Sequence, residues 1–278
     1  MASRPPIVER CLRLIAAGAV TVWSAAPIAL VVLSSFKEPK HIFETPYRFV
    51  FMPVLDNYRA LWDDNPEFFR GLANSAIIAA LATLLAVTAS FCAGYVYARF
   101  RGRFFSGSAF FMLLIRMLPP IVVTVPLFPA VNALDLNDTH LLLILLYAAF
   151  YVSLGTWIMR SFVAQLPIEL EEAAALDGAG LPQILCRVIL PLTTQGLVCV
   201  ALFVLTFSWN EYVFAMIFTT TEAKTAPVVI AELLGTVNGV QWGVIFAAAT
   251  LQLLPVLVLV LTLQRFLAAG LATGAVKG

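Results

Sequence analysis

The sequence predicts an all-α polytopic membrane protein of six transmembrane helices, on three observations. Of its 278 residues, 61% are hydrophobic and only 12% are charged, where a soluble domain has roughly a quarter charged. Uncharged runs long enough to supply the roughly 20 helical residues that cross a bilayer recur along the chain. Those runs do not alternate polar and apolar residues, which excludes the strands of a β-barrel.

Taken in order, the first span covers about residues 14–36, preceded by Arg4, Arg10 and Arg13. Its apolar run is longer than a signal-peptide core and lacks a small-x-small cleavage site, so it reads as a retained anchor. A long external loop, 37–70, follows, punctuated by Pro39, Pro46, Pro53 and Pro66. Within it, residues 55–62 suit a short amphipathic helix with Tyr58 and Trp62 at headgroup depth. The second span, 71–98, opens near Asn74 and Ser75, which are expected to make helix-packing hydrogen bonds. Pro119-Pro120 breaks the third span, 104–130, and Pro126 and Pro129 disturb it again. A short turn leads to the fourth span, 141–160, and a cytoplasmic segment, 161–191, to the fifth, 193–214. The external stretch 219–241 contains an apolar piece, 226–234, too short to cross and suited to a re-entrant helix. The sixth span, 243–265, completes a single transmembrane domain over residues 1–278.

Lys and Arg placement sets the orientation. With the amino terminus inside, Arg4, Arg10, Arg13, Arg99, Arg101, Arg103, Arg160, Arg187, Arg265 and Lys277 fall on the cytoplasmic side. Lys37, Lys40, Arg48, Arg59, Arg70 and Lys224 fall outside. The cluster Arg99-Phe100-Arg101-Gly102-Arg103, in a very short loop, is the strongest orienting element. Cys11, Cys92, Cys186 and Cys199 show no metal spacing and read as small packing residues. His41 and His140 are isolated and external. There is no Walker phosphate loop and no Rossmann fingerprint, so the chain carries no recognisable ATPase.

Between the fourth and fifth spans lies a polar island, Glu169 to Pro191, that does not read as an ordinary loop. Pro167 suits the first turn of a helix. Glu169, Glu171 and Glu172 sit at the positive end of its dipole. Gly178 can take the left-handed conformation that ends it. A second short helix, about 182–189, runs to Pro191. Such a helix-turn-helix at the membrane face, with a small-residue surface, suits capture by another protein. Three further candidates lie in or near the spans. Arg116 stands about twelve residues into the third span, about 18 Å deep. There it either ties to carbonyls freed by the Pro119-Pro120 break or lines a gate or solute path. Asn210 and Glu211 lie near the outer end of the fifth span, where Glu211 either reaches the interface or lines an external gate.

Glu172-Ala173-Ala174, then Asp177-Gly178-Ala179, then Val188-Ile189-Leu190-Pro191 resembles the EAA loop of ABC importer permeases. Val188 stands for the usual Ile. Arg116-Met117-x-Pro119-Pro120, Pro126-Leu127, Leu136-x-Asp138-Thr139 and Ser208-Trp209-Asn210-Glu211-Tyr212 look like the MalG-type subunit of carbohydrate importers. Gln264-Arg265 and the tail Gly274 to Gly278 continue that likeness. Gln195 and Ser153 depart from it, because the family usually or often has proline there. The fifth span then begins less rigidly, and the fourth is straighter.

The resemblance implies a type I ABC importer permease fold in a bacterial inner membrane, with both termini cytoplasmic. It implies a second, MalF-type permease, two copies of a cytoplasmic ATPase and an external solute-binding protein, with no nucleic acid and no cofactor. Glu172, Ala173, Ala174, Asp177 and Gly178 would dock the ATPase. The carboxyl tail would lie against it, and Asn238 and Gly239 would contact the binding protein or merely form a turn. The implied cargo is a sugar or sugar-like solute; a polyol or glycerol phosphodiester is the alternative. An ion-driven carrier would be expected to show intramembrane acids or an internal repeat. A membrane enzyme would need catalytic groups converging at one depth. Neither pattern is present.

Overall fold

The computed structural model describes residues 7–235 and 239–275. Asn238 and the tail residues Val276 to Gly278 lie outside the described residues. Every regular element described is helical. Four helices are long and apolar enough to cross a bilayer, and two bent helix pairs pass the same test, which makes six when each pair is one span. The chain divides into two compact units, residues 1–68 with 230–254 and residues 69–229 with 255–278.

The first unit holds α1 (Ile7–Ser35) and α2 (Asp56–Asp64). Apolar side chains cover α1 all round and are exposed, Trp23 by 85%, as suits a helix facing hydrocarbon. The loop after α1 is tied together by polar groups. Asn57 Nδ2 donates to the carbonyls of Ser35 and Lys37, each at 2.8 Å. The Tyr58 hydroxyl lies 2.7 Å from Ser35 Oγ. Lys37 is buried, with Nζ 3.3 Å from the centre of the Tyr47 ring, a desolvated cation–π contact. A Cβ on Gly243 would stand 2.1 Å from Asn57 Oδ1, so only glycine fits that position.

The second unit packs α3 (Pro66–Arg99, from residue 69 on), α6 (His140–Val163) and α10 (Thr194–Trp209) against one another. Small residues allow the close approach. A Cβ on Gly94 would meet Met159 Cβ at 2.5 Å, one on Gly155 would meet Ser90 Oγ at 2.2 Å, and one on Gly196 would meet Phe162 at 2.7 Å. Two apolar clusters result. One gathers Ile78, Leu143, Tyr147, Phe214 and Phe218. The other gathers Phe91, Tyr95, Met159, Val163, Ile184, Ile189 and Val200. Ser153 is buried in α6, which runs unbroken.

The third span divides as predicted, and sharply. α4 (Arg103–Met117) and α5 (Pro120–Ala133) meet at 98°, because Pro120 clashes with a helical residue before it and cannot donate. Pro126 and Pro129 do not interrupt α5. Residues 181–192 meet α10 at 79°, at the expected entry to the fifth span. The span itself differs from the single helix predicted over 193–214, because α10 ends at Trp209 before a short α11 (Val213–Phe218). The apolar piece after it forms α12 (Ala226–Leu233), followed by α13 (Trp242–Ala275).

Candidate functional site

The polar island folds as α7 (Glu169–Leu176), α8 (Leu181–Ile184), a π-type turn (Leu185–Ile189) and a last helical turn, α9 (Leu190–Leu192). Its first helix is ended by a reciprocal pair of backbone bonds. Gly178 N–H donates to Ala175 O and Ala179 N–H to Ala174 O, each at 3.0 Å. This is a Schellman turn, which needs a left-handed residue at its corner, and Gly178 has φ +84°. No atom comes within 4 Å of where its Cβ would be. Gln183 Oε1 accepts from Gly180 N–H at 3.1 Å and so starts α8.

An ion pair holds α7 to the membrane helices. Arg99 Nε donates to Glu171 Oε1 at 2.6 Å, and both side chains are about nine-tenths covered. The Tyr95 hydroxyl donates to the other carboxylate oxygen at 2.8 Å, and Arg99 Nη2 reaches Leu166 O at 3.0 Å. The sequence reading missed this anchor. In the sequence Arg99 stands out only as a topology signal, and the three glutamates only as one dipole group. Tyr95 and Arg99 stand four apart on one helix face, which was the available clue. With Glu171 turned inward, Glu172, Ala173, Asp177 and Gly178 are exposed. Ala174 departs from the other four expected docking residues. It packs against the core beneath, because a helix three turns or fewer in length cannot show all its residues to one side. Leu176 is 89% exposed, and Ile168 and Leu181 are also exposed, an apolar surface of the kind that marks an interaction site.

At the other end of α3 a second polar assembly appears. The Asp138 carboxylate accepts the backbone N–H groups of Thr220, Thr221, Glu222 and Ala223 at 2.9–3.1 Å. It also accepts the hydroxyls of Thr220 and Thr221 at 3.0 and 2.8 Å. Burial alone would raise this carboxyl, but the hydrogen bonds outweigh it and hold Asp138 well below the usual carboxylate range. Asn74 Nδ2 donates to Glu222 O and Lys224 O, and its Oδ1 meets His140 Nε2, all at 2.8 Å. Ser75 Oγ accepts from Ala226 N–H at 3.0 Å. Asn74, Ser75 and His140 therefore lock a loop in place. They also join helices, as expected of Asn74 and Ser75: Asn74 ties α3 to His140 at the start of α6, and Ser75 ties α3 to Ala226 at the start of α12, so His140 is not isolated.

The remaining candidates fall apart from one another. Glu211 is buried and accepts from Phe214 N–H at 2.9 Å and Ala215 N–H at 3.3 Å. It caps α11, which explains the break in the fifth span. Asn210 is exposed and donates to Thr206 O at 2.8 Å. Arg116 is exposed in the last turn of α4 and has no hydrogen-bond partner among the described residues, so it is not tied to the carbonyls at the proline break. Gly239 has φ +89° with open space around its Cβ position. Among the described residues no group of His, Cys, Asp and Glu could hold a metal, and Cys92, Cys186 and Cys199 are free thiols.

Residues 86–273 match the family described as binding-protein-dependent transport system inner membrane component. The chain belongs to that family. The trehalose/maltose transport system permease protein MalG of Thermococcus litoralis is 34% identical over 99% of both chains. The trehalose transport system permease protein SugB of Mycobacterium tuberculosis is 40% identical over 81% of this chain and 82% of its own. The sulfoquinovosyl glycerol transport system permease protein SmoH of Agrobacterium fabrum is 30% identical over 96% and 94%. A solved bacterial ABC transporter involved in import of the acidic polysaccharide alginate shares the fold, with TM-score 0.76 at 20% identity, covering 95% of this chain and 99% of that one. The permease is a multi-pass membrane transport subunit of an ABC importer and not an enzyme. A permease of this kind works with an ATP-hydrolysing subunit and a solute-binding protein.

Proposed function

We propose that this permease carries a sugar or sugar-like solute across the bacterial inner membrane, paired with a second, MalF-type permease and two copies of the ATPase. The named cargoes of its relatives, trehalose and maltose among them, support the sugar reading. The glycerol-linked sugar of another relative keeps a glycerol-bearing solute as the second reading. Both termini are cytoplasmic on the arginine distribution, which puts α7 where an ATPase reaches it.

One observation carries the mechanism. The exposed edge Glu172, Ala173, Asp177 and Gly178 sits on a helix pinned from behind by the Glu171–Arg99 pair. A helix held this way transmits motion as a rigid body, so closure of the ATPase dimer on α7 would tilt the spans and open the path outward. Arg116, exposed within a span and without a hydrogen-bond partner among the described residues, together with Asn210 and Glu211 at the end of α10, are the proposed polar groups of the path. Gly239 is the proposed binding-protein contact. A solute screen on the cognate binding protein, followed by uptake into vesicles carrying the whole complex, tests the cargo. Saturable sugar uptake dependent on the binding protein is expected. Binding restricted to amino acids, ions or peptides would overturn the sugar reading.

A further inference from the structure

We propose that a cavity at the cytoplasmic ends of α3, α4 and α6 binds the anionic headgroup of a phospholipid. The cavity has a volume of about 640 Å³. It lies entirely within the second unit, walled by the end of α3, the start of α4 and the end of α6. Its lining divides into two kinds. Phe105, Phe110 and Trp157 supply apolar surface, while Arg101, Arg160, Tyr97 and Ser106 supply polar groups. A phospholipid has the same two halves, acyl chain and charged head.

Charge complementarity selects that occupant. Arg99, two residues before Arg101, is consumed by Glu171. Among the described residues Arg101 and Arg160 have no carboxylate partner. The Arg160 guanidinium lies 4.9 Å from the centre of the Trp157 ring. That stacking holds the plane while leaving its N–H edge for a phosphate. The amino terminus of α4 adds to the positive field, for no side chain caps it and no acid stands in its first turn. Tyr97 is fixed in the wall by its hydroxyl, 3.0 Å from Ser108 Oγ. Basic pockets between helices on the cytoplasmic side are suited to anionic headgroups. The leaflet assignment rests on the orientation proposed above; the site itself does not.

The test is native mass spectrometry of the assembled importer released from nanodiscs of equimolar phosphatidylglycerol and phosphatidylcholine. Wild type should retain phosphatidylglycerol selectively. In the double variant R101Q/R160Q that enrichment should drop on the order of tenfold, since each basic group near a lipid surface contributes a sizeable fraction of a decade. R101K/R160K should recover part of it, and Arg59→Gln in the external loop should leave it unchanged. Unchanged enrichment in R101Q/R160Q, or equal retention of the two lipids by wild type, overturns the site. The second result would mean that protein fills the cavity. Displacement of the lipid by millimolar inorganic phosphate would also overturn it, in favour of a free-anion site. Membrane-impermeant labelling of Cys186 in inside-out and right-side-out vesicles reads the orientation independently. Labelling only from outside would move the site to the other leaflet and refute the cytoplasmic assignment alone.

Discussion

At the residue scale, two carboxylates hold the two ends of the molecule's second unit, and each yields a prediction. Glu171 and Arg99 are 10% and 11% exposed and also bind Tyr95 and Leu166. Removing one partner of a buried pair leaves the other charge uncompensated and costs about 3–5 kcal/mol, whereas replacing both by apolar groups is often neutral. Arg99→Met should therefore lower the unfolding midpoint in nanodiscs and weaken ATPase co-purification. Arg99→Met with Glu171→Leu should regain much of the midpoint. A single variant as stable as wild type would show that the pair anchors nothing. Asp138 makes the complementary case. Its folded pKa is depressed, so the stability it contributes is complete above the unfolded carboxylate value of about 3.9 and is lost as pH falls below it. Asp138→Asn sets an amide N–H₂ against backbone donors and should cost about 1–3 kcal/mol. Wild type should keep that advantage at neutral pH and surrender it progressively below about pH 4. An advantage that is flat down to pH 2, followed by thermal unfolding, would argue that the carboxylate charge is not what holds the 220–223 loop.

At the element scale, what the sequence disclosed tracks how local its cause is. The break between α4 and α5 was readable because Pro119-Pro120 carries it unaided. The left-handed end of α7 was readable because Gly178 follows a run of helix formers. The break after Trp209 was not, since no proline or glycine marks it. It depends on Glu211 folding back onto the N–H groups of Phe214 and Ala215, which composition does not distinguish from an outward-facing acid. The Asp138 loop clamp and the Arg99 anchor were hidden for the same reason, since their partners lie 82 and 72 positions away. Helix packing was half visible, because glycines in spans signal close approach without saying which ones are in contact. Gly155 and Gly107 separate the cases. A Cβ at Gly155 would stand 2.2 Å from Ser90 Oγ and 2.7 Å from Val200 Cγ1, while Gly107 in α4 has nothing within 4 Å. Gly155→Ala should cost about 1–3 kcal/mol by overpacking. Gly107→Ala should be neutral or stabilise by up to about 1 kcal/mol through helix propensity. Thermal melts of the two variants in the same nanodiscs check the contrast, and equal midpoints would refute the packing of α3, α6 and α10 described here.

At the scale of the whole molecule, coupling requires that force applied at α7 reach the spans without dissipating in the loop. The geometry meets that requirement from both sides. Glu171 fixes the helix to the end of α3, and Ile184 and Ile189, just beyond the Schellman turn, are buried in the core shared with α3, α6 and α10. What remains outside is a short exposed edge flanked by Leu176 and Leu181, an apolar patch with no internal partner to cover it. Gly178 sits at the corner of that edge and separates folding from docking. A side chain there meets no atom within 4 Å, so the only folding cost is the left-handed backbone at φ +84°, roughly 1–2 kcal/mol for a residue with a Cβ. Aspartate is among the residues that tolerate that conformation best. Gly178→Asp should therefore insert and melt nearly as wild type does. Its side chain and charge would nevertheless occupy the surface that the ATPase must close upon. Affinity purification through the permease should then recover little ATPase, and solute uptake should vanish while membrane abundance persists. Gly178→Ala, which carries similar backbone strain but little bulk and no charge, should keep a substantial part of both. ATPase recovery and uptake at wild-type levels in Gly178→Asp would place the docking surface elsewhere on the permease, and the anchored α7 would then be a brace for the spans and not their lever.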